Sequence, residues 1–283
     1  MEYVIHRGIK IPLIGFGSYR LGDNKEDLNN EITTYNYGID NYKMTLIDTA
    51  EMYGSGKSEE VIGKIIKDKK REDLFIIDKI LPENAILGQY EKSCRKSLEL
   101  VGTNYFDLYL LHWKSTVNLQ EMVYEMEKLV SLGLIKNWGV SNFDTFEMEE
   151  LFKCDKGKNC FCNQILYNIG VRGPEYDLIP WCQKNDVLVM AYSPLYNNKE
   201  DRIKYTSSKL IQDIAKKEDK TPESLMLSFV VRNRDIVTIF KTSNIEHLNN
   251  NMKNVFETIS ADDLEVIDKK YPKPSKKERL MKI

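Results

Sequence analysis

The sequence predicts an α/β protein: a closed (α/β)8 barrel of the TIM type, with an N-terminal β-hairpin and extra helices late in the chain. Short apolar runs alternate with segments of helical period, and the alternation recurs about eight times, as repeated strand–helix units on a parallel sheet would give. The runs are nearly continuous in Ile, Leu and Val, which suits strands buried on both faces. No Pro-, Ser- or Gly-rich linker and no break in composition divides the chain. Its 283 residues could be two average domains, but one barrel of ~250 residues is equally allowed by size. The unbroken alternation favours a single domain over residues 1–283.

In chain order, "YVIHRGIKIPL" reads as the hairpin ahead of the barrel. The eight strand candidates are "LIGFGS", "TLIDTA", "LFIIDKI", "FDLYLLHW", "IKNWGVSN", "CNQILY", "VLVMAYSPL" and "IVTIFKT". Helices fill the gaps between them. Ser58 reads as an N-cap with Glu59 and Glu60 in the first turn, where the helix dipole favours acids, ahead of a stripe of Val61, Ile62, Ile65 and Ile66. "NAILGQYEKSCRKSLELVG" ends in a plausible C-cap at Gly102, and "TPESLMLSFVVRN" opens with Thr221 as cap and Pro222 at the first helical position. Residues 272–283 read as a basic, Pro-interrupted tail.

Composition narrows the function. The chain has 41 basic and 43 acidic side chains, 42% hydrophobic and 30% charged residues, so neither disorder nor a general affinity for nucleic acid is indicated. No stretch approaches the ~18 apolar residues of a membrane span, and "MEYVIHRGIK" lacks the basic-then-apolar order of a secretory signal. The expected setting is the cytoplasm, as a monomer or weak homo-oligomer, with a small-molecule partner. Five cysteines read as free thiols. Cys154, Cys160 and Cys162 lack a CxxC pair or a nearby His, so they read as packing residues and no metal site is expected.

Barrel enzymes place their chemistry at the C-terminal ends of the strands. The polar exceptions to the apolar runs fall there: Asp48, Lys79 and His112 each follow apolar residues of the same alternation parity, namely Leu46, Phe75 with Ile77, and Leu108 with Leu110. Tyr53 lies in the loop just past Asp48. A free phenol titrates near 10 and exchanges protons poorly at neutral pH unless a cation stabilises its phenolate. Lys79 supplies such a cation, Asp48 orients the ammonium, and His112 offers a hydrogen bond to a substrate oxygen that gains charge. The set suits proton transfer at a carbonyl or alcohol. Lys241 and Thr242, ahead of a helix, read independently as an anion site.

These residues resemble the aldo-keto reductases. The likeness lies in "DTAEMYGSGKSEEVIG", "LYLLHW", "GVSNF", "NQILYN", "AYSPL" and "IFKTSNIEHLNNN", in the family's order. The resemblance implies a carbonyl reductase using NADPH, with NADH possible, and a catalytic tetrad of Asp48, Tyr53, Lys79 and His112. It places Ser141, Asn142 and Gln164 at the nicotinamide carboxamide, and Tyr192 against the ring, although without the resemblance Tyr192 reads equally as a core aromatic. Ser193 and Leu195 would follow the pyrophosphate, Lys241 and Thr242 would meet the 2′-phosphate, and Asn251 the adenine. Ser18 joins the cofactor residues, while Tyr19 and Trp113 line the substrate pocket. His247 stands where the family has an arginine, and Asn250 where it has an acid; a histidine lacks arginine's permanent charge and planar fork, so the preference for NADPH is expected to be narrower. Asp78 replaces a small or hydroxyl residue and is expected to face the helical layer. An alternative is a cofactor-binding regulatory or structural subunit with incidental turnover.

Overall fold

The computed structural model describes residues 1–283. Strands β1 (Tyr3–His6) and β2 (Ile9–Pro12) pair antiparallel. Arg7 and Gly8 turn between them with φ of 46° and 78°, the left-handed pair that a two-residue hairpin turn requires. Eight further strands follow: β3 (Ile14–Gly17), β4 (Leu46–Asp48), β5 (Phe75–Ile80), β6 (Phe106–Leu111), β7 (Ile135–Ser141), β8 (Cys162–Leu166), β9 (Leu188–Tyr192) and β10 (Ile236–Phe240). Each lies inside the apolar run expected for it. They pair in parallel in chain order, and β10 returns to β3 with Thr238 opposite Ile14, closing the barrel.

One helix follows each of the first six barrel strands: α1 (Leu28–Tyr42), α2 (Lys57–Ile66), α3 (Tyr90–Val101), α4 (Leu119–Ser131), α5 (Thr145–Leu151) and α6 (Leu178–Lys184). The extra helices come late, as expected. Between β9 and β10 lie α7 (Lys199–Thr206), α8 (Lys209–Lys217) and α9 (Pro222–Val230), and after β10 come α10 (Ile245–Met252) and α11 (Ala261–Lys270). No helix is long and apolar enough to cross a membrane.

The two-residue period of the strands divides the core. Leu46, Phe75, Ile77, Leu108 and Leu110 fill the barrel interior, where Ile11 of the hairpin joins them. The alternate residues Ile47, Ile76 and Tyr109 pack outward against the helices. Gly15 lets β3 approach β4, since a Cβ there would lie 2.2 Å from Leu46 Cδ2.

Local signals placed several helix ends. Gly102 terminates α3 with φ 70°, and the Thr221 side chain accepts the Ser224 N–H ahead of Pro222. Ser58 corrects the sequence reading, because it lies inside α2 and caps nothing. Left-handed Gly54, Ser55 and Gly56 lead straight into the helix, and the Ser58 hydroxyl is buried against Ser18 Oγ at 2.6 Å and Thr49 Oγ1 at 2.9 Å. The basic tail is docked: Leu280 is buried, its N–H donates to Asp144 Oδ2, and Lys277 bonds Asp144 and Asp177. All five cysteines are free, and Cys94, Cys160, Cys162 and Cys182 are buried.

Candidate active site

The strand ends bring the four ionisable groups together. Lys79 leaves the end of β5 fully buried, with its ammonium 2.6 Å from Asp48 Oδ2, 2.9 Å from the Thr49 carbonyl and 3.3 Å from the Tyr53 hydroxyl. Register explains the meeting: Asp48 lies opposite Ile77, so Lys79 sits one interior position further along the neighbouring strand. Tyr53 arrives from the one-turn helix Tyr53–Gly56. Its ring stands edge-on to His112, with centroids 5.7 Å apart. His112 is backed by Trp113 at 4.9 Å, and Tyr19 packs edge-on against Tyr53 at 5.3 Å. Tyr19 and Trp113 thus lie against Tyr53 and His112.

Burial sets the protonation states. Desolvation, then the Lys79 charge, pull His112 down to about 3, so its imidazole is neutral near pH 7. Desolvation alone would lower Lys79, but Asp48 and Tyr53 outweigh it and hold the ammonium charged. Burial raises Tyr53 above its ordinary value despite the opposing pull of Lys79, leaving it a phenol able to donate. Asp48 is raised by burial and pulled back by Lys79 and Gln164.

A second layer of amides touches this set. Gln164 Nε2 donates to Asp48 Oδ1 at 2.7 Å, and Ser141 Oγ donates to the Gln164 carbonyl at 2.9 Å. Asn142, with φ 63°, accepts the Tyr192 hydroxyl at 2.7 Å and donates to the His112 carbonyl at 3.2 Å. Residues from the ends of β7, β8 and β9 therefore meet beside the four ionisable groups, and their side chains carry both hydrogen-bond donors and acceptors. Ser193, also left-handed, is tied by its carbonyl to Asn168 Nδ2, and Leu195 is buried next to it.

At the far end of this row, Asn244 caps α10 by accepting the His247 N–H at 3.0 Å. Thr242 Oγ1 accepts the Asn244 N–H at 3.3 Å. His247 is exposed on that helix, whereas Asn251 is buried. An ammonium, a hydroxyl and a helix N-terminus suit a phosphate, so the donor set fits a phosphorylated nucleotide. Lys241 is nevertheless engaged by Glu31 Oε1 at 2.7 Å. The Ser18 side chain departs from expectation. It is fully buried and bonded to Ser58, so its hydroxyl is turned from the mouth.

Sequence reasoning missed Glu31 and the partner of Asp78. Asp78 faces the helical layer, as expected, and its Oδ1 accepts the Lys79 N–H at 2.8 Å. Its partner there is Glu59 of α2, equally buried; burial first and Glu59 second push Asp78 well above the carboxylate range. Glu31 was not anticipated, although its signal was present. It heads the buried stripe Glu31, Thr34, Tyr35, Gly38 and Ile39 of α1, the spacing of a helix face turned to the core.

Known proteins are similar to this chain along nearly all of its length. A methylglyoxal reductase, YeaE, of Escherichia coli (strain K12) is 36% identical over 272 residues, covering 96% of this chain and 95% of its own. A glyoxal reductase of Bacillus subtilis (strain 168) is 29% identical over 267 residues, covering 93% of this chain and 90% of its own. The crystal structure of an aldo/keto reductase from Klebsiella pneumoniae in complex with NADP and acetate superposes with a TM-score of 0.95 at 37% identity, covering 100% of this chain and 99% of that one. The model of the Aldo/keto reductase family matches residues 13–272, a span that takes in every barrel strand and all four converging groups. With barrel, strand-end cluster and family model in agreement, the chain belongs to the aldo/keto reductase family and is an oxidoreductase.

Proposed function

We propose that the protein uses NADPH to reduce small aldehydes that carry a neighbouring carbonyl, with Tyr53 delivering the proton. The observation that carries this reading is the buried Asp48–Lys79–Tyr53 chain of hydrogen bonds beside a neutral His112. Bound NADPH supplies the hydride that the carbonyl carbon receives. Tyr53, kept protonated by burial, gives its proton to the carbonyl oxygen, and Lys79 stabilises the phenolate left behind. His112 offers an N–H to the same oxygen without surrendering a charge. The products are the alcohol and NADP⁺, and Tyr53 regains its proton from solvent at the mouth.

Other residues hold the reactants. Ser141, Asn142 and Gln164 take the nicotinamide carboxamide, and Tyr192 stacks on the ring. Ser193 and Leu195 follow the pyrophosphate, Lys241 and Thr242 face the 2′-phosphate, and His247 and Asn251 lie at the adenosine end. Tyr19 and Trp113 wall the substrate. Two observations support this reading: the solved Klebsiella pneumoniae relative contains NADP, and the Escherichia coli and Bacillus subtilis relatives are named for methylglyoxal and glyoxal.

The test is Tyr53→Phe. Single-turnover reduction of methylglyoxal should fall by ~10²–10⁴, the usual worth of general acid catalysis, while the Kd for NADPH stays within a few-fold. Comparable turnover in the variant overturns the role of Tyr53. A wild type that reduces monocarbonyls or sugars but not methylglyoxal overturns the substrate class alone. No turnover of any carbonyl with tight NADPH binding restores the reading as a cofactor-binding subunit.

A further inference from the structure

We infer that Glu31 is a specificity-determining residue that narrows the preference for a 2′-phosphorylated cofactor. The inference rests on the reading of Lys241 and Thr242 as the residues that face the 2′-phosphate. Lys241 does not present a free charge to that site. Its ammonium lies 2.7 Å from Glu31 Oε1, with side chains 28% and 3% exposed respectively, and its other bond is to the Arg20 carbonyl at 3.4 Å.

Glu31 is itself anchored. Its second oxygen accepts the Gly22 N–H at 2.9 Å, and it sits in the first turn of α1, where the helix dipole stabilises an acid. The Tyr35 hydroxyl, one turn along the same face, donates to the Gly17 carbonyl, so it does not compete for the carboxylate. The Arg20 guanidinium lies 5.6 Å from the centre of the Tyr19 ring and makes no salt bridge to Glu31. The ammonium at Lys241 is thus already balanced by a buried carboxylate whose other oxygen is held by the Gly22 N–H.

A phosphate that docks on Lys241 must compete with this acid for the one ammonium. A cofactor that lacks the phosphate does not meet it. Glu31 therefore acts on the difference between the two nucleotides. Freeing the ammonium for a charge-assisted hydrogen bond to the phosphate shifts binding by about tenfold.

Glu31→Gln keeps the side-chain length and an acceptor for the Gly22 N–H while removing the charge. Titration of the intact protein with NADPH and with NADH at constant ionic strength, followed by intrinsic fluorescence, gives the two dissociation constants. NADPH should bind about tenfold more tightly than to wild type, and NADH within about twofold. Glu31→Ser, which removes the same charge with less bulk, should move the ratio in the same direction, and thermal melts establish that each variant is folded. Lys241→Met should reduce the ratio, and adding Glu31→Gln to it should change the ratio no further. An NADPH-to-NADH ratio that rises in neither Glu31 variant, or that rises equally when Lys241 is absent, overturns the role of Glu31. A ratio untouched by Lys241→Met overturns the phosphate reading itself.

Discussion

The residue beside the buried lysine is itself a buried acid, and this has a measurable cost. Asp78 and Glu59 face each other with no solvent exposure, and Asp78 Oδ2 and both Glu59 oxygens lack hydrogen-bond partners. Tyr109 and Cys94 approach from β6 and α3, Glu51 from the loop after β4, and Lys79 from the same strand. Burial raises both acids, reinforced at Asp78 by the Glu59 charge and at Glu59 by the Glu51 charge. A carboxyl whose folded value is raised contributes most stability below the ordinary carboxylate range, and that contribution is lost as pH climbs through the raised value. Asp78→Asn, which mimics the protonated form, should therefore gain on wild type as pH rises from 5 to 8, by no more than about 1.4 kcal/mol per pH unit. Urea denaturation at several pH values reads this, and a wild type that gains on the variant toward high pH would contradict the assignment.

At the scale of elements, α5 shows how one carboxylate serves two structures. Asp144 accepts the Thr145 N–H at 2.7 Å, while Glu147 reaches back to the Asp144 N–H at 2.8 Å, completing a capping box. The same carboxylate holds Lys277 and the Leu280 N–H of the tail. Burial would raise it, but Lys277, Thr145 and Leu280 together bring it below the usual value. Asp144→Ala should cost about 1–2 kcal/mol through the lost cap. It should also release the tail, so hydrogen exchange at residues 277–283 should accelerate, and unchanged protection there would show that Leu280 alone anchors the segment. This pairing explains what the sequence could and could not tell. Thr221–Pro222 and Gly102 were readable because caps are local chemistry. The tetrad was readable because Asp48, Lys79 and His112 interrupt apolar strands at one parity. Tail docking was not, because Leu280 meets Asp144 across 136 residues. Ser58 misled because a serine before two acids looks like a cap wherever it lies, and only packing shows that its hydroxyl joins Ser18 and Thr49. Glu31 went unseen because its partner Lys241 arrives from the other end of the chain.

At the scale of the whole molecule, the thiols report on the integrity of the packing. Burial raises Cys94, Cys160, Cys162 and Cys182 well above the ordinary thiol value, which suppresses the reactive thiolate. Cys154 is partly exposed and is the one expected to label in the native state. With a slow alkylating agent near pH 7, mass spectrometry should find one modified thiol before unfolding and five after. Early modification of Cys160 or Cys162 would mean that the barrel base opens without global unfolding. The closure of β10 on β3 bears on how the protein is made. Thr238 must find Ile14, so a chain emerging from the ribosome exposes β3 as an unpaired edge until almost all of it has been synthesised. Such long-range pairing is slow, and an open parallel edge invites association with other chains. Nascent chains arrested before Ile236 have no strand with which to cover β3, and for them the hazard during translation is sticking to one another rather than misfolding alone.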